Sequence, residues 1–200
     1  MISPCRTMAL VRCPKMGGTS ADAALATIGW WRDERLKPHS RAADVLEIYP
    51  AIKLYGLQRS PEAWYPSVYM HGWRSLPNQR VERVFRDYGY ESRHNMHQTL
   101  CVCFTCVLHG MTHLEAAPWP PQDDLWRPFD ERTYIKGRGL WSNAKHWYYG
   151  AHDVTWLRTE TLADDMREAF GVECGWLNRA KYPIDVGEEE RAWIALADGV

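Results

Sequence analysis

The chain lacks an excess of charge of either sign. Its 200 residues contain 24 lysines and arginines against 25 aspartates and glutamates, which leaves a formal net charge of −1. This near-neutral balance gives no support to nucleic-acid binding through a broad basic field, although a local basic pocket is compatible with it.

Long apolar runs are also missing. No stretch approaches the length of a membrane span, and no positively charged start leads into the apolar core of a secretion signal. We therefore expect a cytoplasmic protein that does not associate with membranes. Internal repeats and low-complexity segments are absent as well, and the length predicts a single domain over residues 1–200.

Cysteine and tryptophan are comparatively well represented. Nothing marks the chain as secreted, so its 6 cysteines are expected to be reduced thiols. The 11 tryptophans predict aromatic core or pocket walls, and composition alone does not distinguish these uses.

Strand and helix patterns alternate outside the middle of the chain. Apolar runs predict strands over residues 7–13, 52–57 and 154–157. Helical patterns predict helices over residues 19–31, 42–49, 61–73, 79–88, 93–115, 142–149, 161–171 and 188–197. The middle, about 75–135, is expected to be mostly helical and then a loop. The alternation predicts an α/β fold with three α/β/α layers around a central parallel sheet.

Residues 12–20 join the first predicted strand to the first predicted helix through two consecutive glycines. Glycines let backbone N–H groups approach an anion, and the N-terminus of the following helix adds a favourable dipole. Lys15 precedes Gly17 and Gly18, whereas the lysine of a Walker loop follows the last glycine, so this order favours a phosphosulfate over a nucleoside triphosphate. A plain strand-to-helix turn without a ligand is the alternative.

A second polar segment follows the second predicted strand. Arg59 stands at the carboxyl end of that strand, where ligands of open α/β sheets gather. Pro61 suits the first position of a helix that carries Ser67. Arg59 and Ser67 are candidates to share an anion, and an arginine that caps surface carbonyls is the alternative.

Together the two segments resemble the sulfotransferase superfamily, and its carbohydrate branch in particular. The family's 5′-phosphosulfate loop reads Pro-Lys-x-Gly-Gly-Thr-Ser and is matched by residues 14–20. Its Arg-x-Pro followed by a helical serine is matched by Arg59, Pro61 and Ser67. Further similarities lie in three shorter segments, residues 37–43, 156–165 and 177–179.

The resemblance implies a P-loop nucleotide-binding fold and a PAPS-dependent activity. A sulfuryl group would move from 3′-phosphoadenosine 5′-phosphosulfate (PAPS) to an acceptor hydroxyl on a carbohydrate or small molecule, with 3′-phosphoadenosine 5′-phosphate (PAP) as product and no metal required. The resemblance assigns the 5′-phosphosulfate to Pro14, Lys15, Gly17, Gly18, Thr19 and Ser20, and the 3′-phosphate to Arg59 and Ser67. Lys15 would also stabilise the leaving phosphate. The acceptor and the oligomeric state are not readable from the sequence.

Transfer to an alcohol requires a base, because the hydroxyl loses its proton as it attacks. His39, in the loop between the two segments, is the first candidate. His71, about one helical turn beyond Ser67, is the second. Asp33 and Glu34 are carboxylate alternatives, and an ordinary structural or surface histidine is compatible with either position.

Three further features leave alternatives open. Met16, in place of a small residue, and Pro66, inside the predicted helix before Ser67, motivate a degenerate module that binds a nucleotide or a partner without turnover. Arg158 and Glu160 are interpreted as ligand contacts or as a structural ion pair, with a structural role favoured for Glu160.

A histidine and cysteine cluster motivates a zinc-stabilised protein as the last alternative. Its seven possible ligands are His94, His97, Cys101, Cys103, Cys106, His109 and His113. Their spacing fits neither a zinc finger nor a zinc ribbon, and apolar residues interleave with the cysteines, which favours a buried helix over a metal site.

Overall fold

The structure is a computed structural model, and it describes residues 1–68, 140–175 and 186–198. Numbered over these residues, the strands are β1 (Met8–Val11), β2 (Lys53–Gln58) and β3 (Val154–Arg158). The helices are α1 (Gly18–Ala26), α2 (Ala42–Ile48), α3 (Pro61–Val68), α4 (Leu140–Tyr149), α5 (Leu162–Phe170) and α6 (Glu188–Asp198). A short 3-10 helix, Thr159–Thr161, joins β3 to α5. Within the described ranges, no helix has the length and apolar character needed to cross a membrane.

The three strands form one parallel sheet with β2 in the centre. Val11 of β1 pairs with Gly56 of β2, and Gly56 pairs with Trp156 of β3. Because the strands are parallel, the segments that follow each of them meet at the same edge of the sheet. A small parallel sheet accompanied by helices agrees with the predicted α/β class.

The sheet is closely packed against the end of α4. A Cβ atom on Gly56 would lie 2.8 Å from Cε1 of Tyr149 and 2.7 Å from Cγ1 of Val154, so only glycine allows this approach. The Tyr149 hydroxyl accepts hydrogen bonds from the backbone N–H groups of Cys13 and Leu57, at 3.2 and 3.1 Å, and donates to the Leu57 carbonyl at 2.9 Å. This buried side chain therefore ties the carboxyl ends of β1 and β2 together.

Helix α1 ends earlier than the predicted boundary at residue 31. Gly29 adopts φ +81°, and the N–H groups of Gly29 and Trp30 bond back to the carbonyls of Ala26 and Leu25. This is the pattern of a Schellman cap, which closes a helix even where apolar residues continue. Trp31 is thereby released to exchange two backbone hydrogen bonds with Ile2.

Two predicted helix starts need correction. Ser142 lies inside α4 and does not cap it, because the helix already begins at Leu140. The helix predicted from residue 161 begins at Leu162, and the Thr161 hydroxyl donates to the Asp165 carboxylate instead of capping the backbone. Gly171 ends α5 in a left-handed conformation, at the predicted boundary.

The chain divides into two compact units, Met1–Ser60 with Lys145–Lys181, and Pro61–Ala144 with Tyr182–Val200. The first contains the sheet. In the second, the Asp198 carboxylate accepts from the Tyr65 hydroxyl at 2.7 Å and from the Ser142 N–H at 2.9 Å. The single domain over residues 1–200 stays a prediction. The helices predicted for 79–88 and 93–115 and the loop 116–132 lie outside the described residues.

Candidate anion-binding site

The loop between β1 and α1 reverses direction through two left-handed residues. Lys15 has φ +64° and Gly17 has φ +87°. Within the described part of the chain, the backbone N–H groups of Gly17, Gly18 and Thr19 have no hydrogen-bonded protein acceptor. Successive N–H groups around left-handed residues form a concave anion-binding nest, and the N-terminus of α1 adds its dipole to it.

Side chains from the neighbouring strand ends hold the carbonyls of this loop. The Lys15 carbonyl accepts from Nη1 of Arg59 at 3.1 Å. The Met16 carbonyl accepts from the Thr159 hydroxyl at 2.9 Å, and that hydroxyl also lies 3.0 Å from the Gln58 carbonyl. Because the C=O and N–H of a trans peptide point in opposite directions, these contacts turn the N–H groups of Met16 and Gly17 away from Arg59 and Thr159.

The two glycines are in close contact with the same supporting residues. A Cβ atom on Gly17 would lie 3.3 Å from Cγ2 of Thr159, and one on Gly18 would lie 2.9 Å from Cδ of Arg12. Gly18 therefore has no room for a side chain unless Arg12 moves. The loop sequence is set by packing against β1 and the residues after β3, in addition to any contact with a ligand.

Met16 does not obstruct the nest, because its side chain is fully buried. Sulfotransferases usually have a small residue at the position of Met16. The larger methionine side chain is accommodated in the core and not in the loop. Pro14 is also buried, Thr19 is exposed, and Ser20 is buried.

Lys15 and Arg59 bring two positive side chains to one sheet edge. Partial burial, and then the nearby charge of Arg59, lower the pKa of Lys15. Burial lowers the pKa of Arg59, while the negative charge of Glu160 opposes that shift. Both pKa shifts indicate that the two cations are incompletely solvated, which costs free energy. An anion bound at this edge would offset that desolvation cost.

Glu160 has a structural contact at the same edge. Its Oε1 accepts from the backbone N–H of Ser60 at 2.8 Å, directly after Arg59. Arg158 pairs with Asp165 at 3.5 Å, so the ion pair between Arg158 and Glu160 considered from the sequence does not form. Glu160 thus supports the turn that follows β2.

The candidate bases are placed differently. Nδ1 of His39 lies 3.3 Å from the carbonyl oxygen of Arg12, just before the loop, and its ring meets Tyr148 edge-on with 6.4 Å between centroids. Asp33 is buried and accepts from Arg35 and from the Tyr49 hydroxyl, which hold the pKa of its carboxyl well below the usual range. Such a carboxylate is a poor base. Glu34 is exposed.

The remaining predicted residues belong to the second unit or lie outside the described ranges. Ser67 is a partly exposed residue of α3, and Pro66 is interior to that helix. His71 and the whole of the 94–113 cluster lie outside the described residues. Among residues 1–68, 140–175 and 186–198, no group of three or more His, Cys, Asp or Glu side chains is placed to hold a metal.

No family model matches this chain, and no curated protein or solved structure is significantly similar to it. The site therefore has to be interpreted from its own geometry.

Sequence reasoning missed Thr159 and Arg12 as parts of this site. Thr159 is 2% exposed and contacts the loop from a position 143 residues away in the chain. Its only signal in the sequence is that it lies two residues after the third predicted strand, at the edge where the loop was expected. Arg12 is the first residue after β1, at the start of the 12–20 segment, but resembles no motif.

Proposed function

We propose that this chain is a sulfotransferase that moves a sulfuryl group from PAPS to an acceptor hydroxyl on a carbohydrate or small molecule. The strongest support is the joining of the Lys15 loop to Arg59, through the hydrogen bond from Nη1 to the Lys15 carbonyl. A run of N–H donors beside two cations suits a multiply charged nucleotide. The proposal includes a three-layer P-loop architecture, a single domain and a cytoplasmic setting.

Donor binding follows from the chemistry of each group. The backbone N–H groups of Gly17 and Gly18, with the hydroxyls of Thr19 and Ser20, would hold the 5′-phosphate. Arg59 and Ser67 would hold the 3′-phosphate. A guanidinium pairs two N–H groups with two phosphate oxygens, which makes Arg59 the stronger anchor of the two.

Transfer is a single displacement at sulfur. The acceptor oxygen forms a new S–O bond while the S–O bond to the 5′-phosphate breaks, and the electron pair stays on the phosphate oxygen. The ammonium group of Lys15 stabilises that developing charge. The proton of the acceptor hydroxyl passes to a base, for which His39 is the first candidate and His71 the second. A sulfuryl group carries less charge than a phosphoryl group, so lysine and backbone donors suffice without a metal.

Calorimetry with PAP, paired with a transfer assay using radiolabelled PAPS, tests the proposal. The acceptor panel includes a sugar, a phenol and a nucleoside. We expect binding of PAP and transfer to at least one acceptor class. Absence of both would reject the sulfotransferase assignment.

Binding without turnover would instead favour the degenerate module. Pro66 motivates that outcome, because a proline inside α3 removes one helical hydrogen bond near Ser67. The variant Pro66→Ala separates the two cases, since it restores transfer only if the proline itself prevents turnover.

A further inference from the structure

Arg12 contacts both residues of the turn that carries His39. Its guanidinium Nη2 donates to the Pro38 carbonyl at 2.6 Å. Its own backbone carbonyl oxygen lies 3.3 Å from Nδ1 of His39. One residue at the carboxyl end of β1 therefore fixes two consecutive residues of the turn through its side chain and its main chain.

The guanidinium of Arg12 is itself held in place. Its Nη1 lies 2.6 Å from Oδ2 of Asp22, and the two side chains are only 9% and 7% exposed. Asp22 is also paired with Arg32 at 2.8 Å, and the aliphatic part of Arg12 packs against Gly18. A buried arginine with this many contacts has little rotational freedom. Its hydrogen bond to the Pro38 carbonyl can therefore hold the turn in one position.

The contact with Nδ1 determines where the imidazole carries its proton. A carbonyl oxygen only accepts hydrogen bonds, so Nδ1 must be the protonated nitrogen of neutral His39. The lone pair of the neutral ring is then on Nε2. The ring of Tyr148 also meets the imidazole edge-on, with 6.4 Å between the ring centroids.

We propose that Arg12 is a positioning residue that holds His39 as the Nδ1–H tautomer and thereby makes Nε2 the proton-accepting atom. The tautomer follows from the geometry alone, whereas its use in transfer rests on the proposed sulfotransferase function. In that step the proton of the acceptor hydroxyl moves to Nε2 as the acceptor oxygen bonds to sulfur and the phosphate leaves.

Nuclear magnetic resonance tests the tautomer in the wild-type protein without requiring activity. Protein with nitrogen-15 in its histidines is recorded about 2 pH units above the ordinary histidine pKa of about 6.5, where imidazole is neutral. His39→Gln assigns the His39 signals. We expect the proton on Nδ1, and a ring protonated on Nε2 would overturn the proposal.

Arginine-to-lysine variants test the role of the side chain. Arg12→Lys cannot keep both the Asp22 and the Pro38 contacts, so the His39 tautomer population is expected to shift towards Nε2–H. Arg32→Lys is the matched control, because Arg32 shares Asp22 but, among the described residues, donates no hydrogen bond to the turn, and its spectrum should match the wild type. An unchanged tautomer in Arg12→Lys, or an equal shift in both variants, would contradict the positioning role.

Transfer to two acceptors gives the functional test. An aliphatic alcohol needs a base, whereas a nitrophenol already ionised at neutral pH does not. A positioned base contributes roughly 10²–10⁴-fold, so Arg12→Lys should lower kcat about tenfold or more for the alcohol, with little change for the nitrophenolate or in KM for PAPS. Equal losses for both acceptors would reject the positioning role. If the wild type transfers to neither, the sulfotransferase function fails, and the tautomer measurement still decides the role of Arg12.

Discussion

The guanidinium of Arg59 donates a hydrogen bond to the backbone carbonyl of Lys15 across 3.1 Å, although the two residues are 44 positions apart in the chain. The bond connects the segment after β2 to the loop after β1. It also places a positive side chain against the carbonyl of the peptide that leads from Lys15 to the two glycines. Arg59 therefore shapes the loop in addition to contributing charge.

Replacement of Arg59 by lysine should weaken PAP binding even though the charge is retained. Lysine cannot bind phosphate through two parallel N–H groups while also holding the Lys15 carbonyl. Loss of a charge-assisted hydrogen bond costs about 1.5–3 kcal/mol, which corresponds to roughly 10- to 100-fold in the dissociation constant. Calorimetry measures the change. Arg158→Lys is the control, because Arg158 is an exposed arginine at the end of the neighbouring strand and pairs with Asp165. Equal affinities for the wild type and Arg59→Lys would remove the 3′-phosphate role.

Lys15 combines a strained backbone with the proposed leaving-group contact. At φ +64° an L-residue is disfavoured by roughly 1–2 kcal/mol, whereas glycine is not. We expect the free energy of unfolding of Lys15→Gly to exceed that of Lys15→Ala by about 1 kcal/mol. The glycine variant should therefore unfold at a higher denaturant concentration. Both variants should lose transfer, by roughly 10²–10³-fold or more.

The comparison separates strain from chemistry. Equal stability of the glycine and alanine variants would show that the conformation of Lys15 carries no strain. Full transfer by either variant would reject the leaving-group role, whatever their stabilities.

Local patterns in the sequence were sufficient for the strand, the glycine loop and the helix start around Lys15. The strand depends on the apolar run over Met8–Val11, and the turn depends on the glycines after it. Both are set by neighbouring side chains and by backbone preferences within a few residues, so they could be predicted. The placement of Arg59 also followed, because parallel strands bring their carboxyl ends to one edge.

Contacts between distant residues were not predictable in the same way. No local sequence feature predicts the hydrogen bond from Thr159 to the Met16 carbonyl, because that bond depends on the register of β3 beside β2. The end of α1 was misplaced for a related reason. Apolar residues continue to Trp31, but they serve a bridge to Ile2 instead of a helix face.

Thr159 should be required for the shape of the loop. Thr159→Val keeps the volume but removes the hydroxyl, which leaves the buried Met16 carbonyl without that donor at a cost of about 1–3 kcal/mol. Thermal or denaturant unfolding measures this loss, and PAP affinity should fall with it. Thr159→Ser retains the hydroxyl and should bind PAP much more tightly than Thr159→Val. Equal affinities would contradict a dominant role of the hydrogen bond, and tighter binding by Thr159→Val would show that the methyl contact with Gly17 maintains the loop instead.

Asp33 gives the loop before His39 an acid-sensitive connection to Tyr49, the residue that follows α2. Its carboxylate accepts from Arg35 and from the hydroxyl of Tyr49, and these bonds lower its pKa. A lowered pKa in the folded state means that Asp33 stabilises the fold above its unfolded pKa, near 3.9. That contribution is lost as the pH falls through the lower folded value.

The melting temperature of Asp33→Asn should therefore lie below that of the wild type at neutral pH, and the gap should narrow as the pH is lowered from about 5 towards 2. Tyr49→Phe removes the bond from the hydroxyl, keeps those from Arg35 and should show a smaller gap of the same sign. Asp164→Asn is the control, because the Asp164 side chain is 77% exposed and pairs with the exposed Arg167. A gap that stays constant across this range would mean that Asp33 acts through packing alone. Because the same loop carries His39, a narrowing gap would also predict that acid loosens the turn in which the proposed base is held.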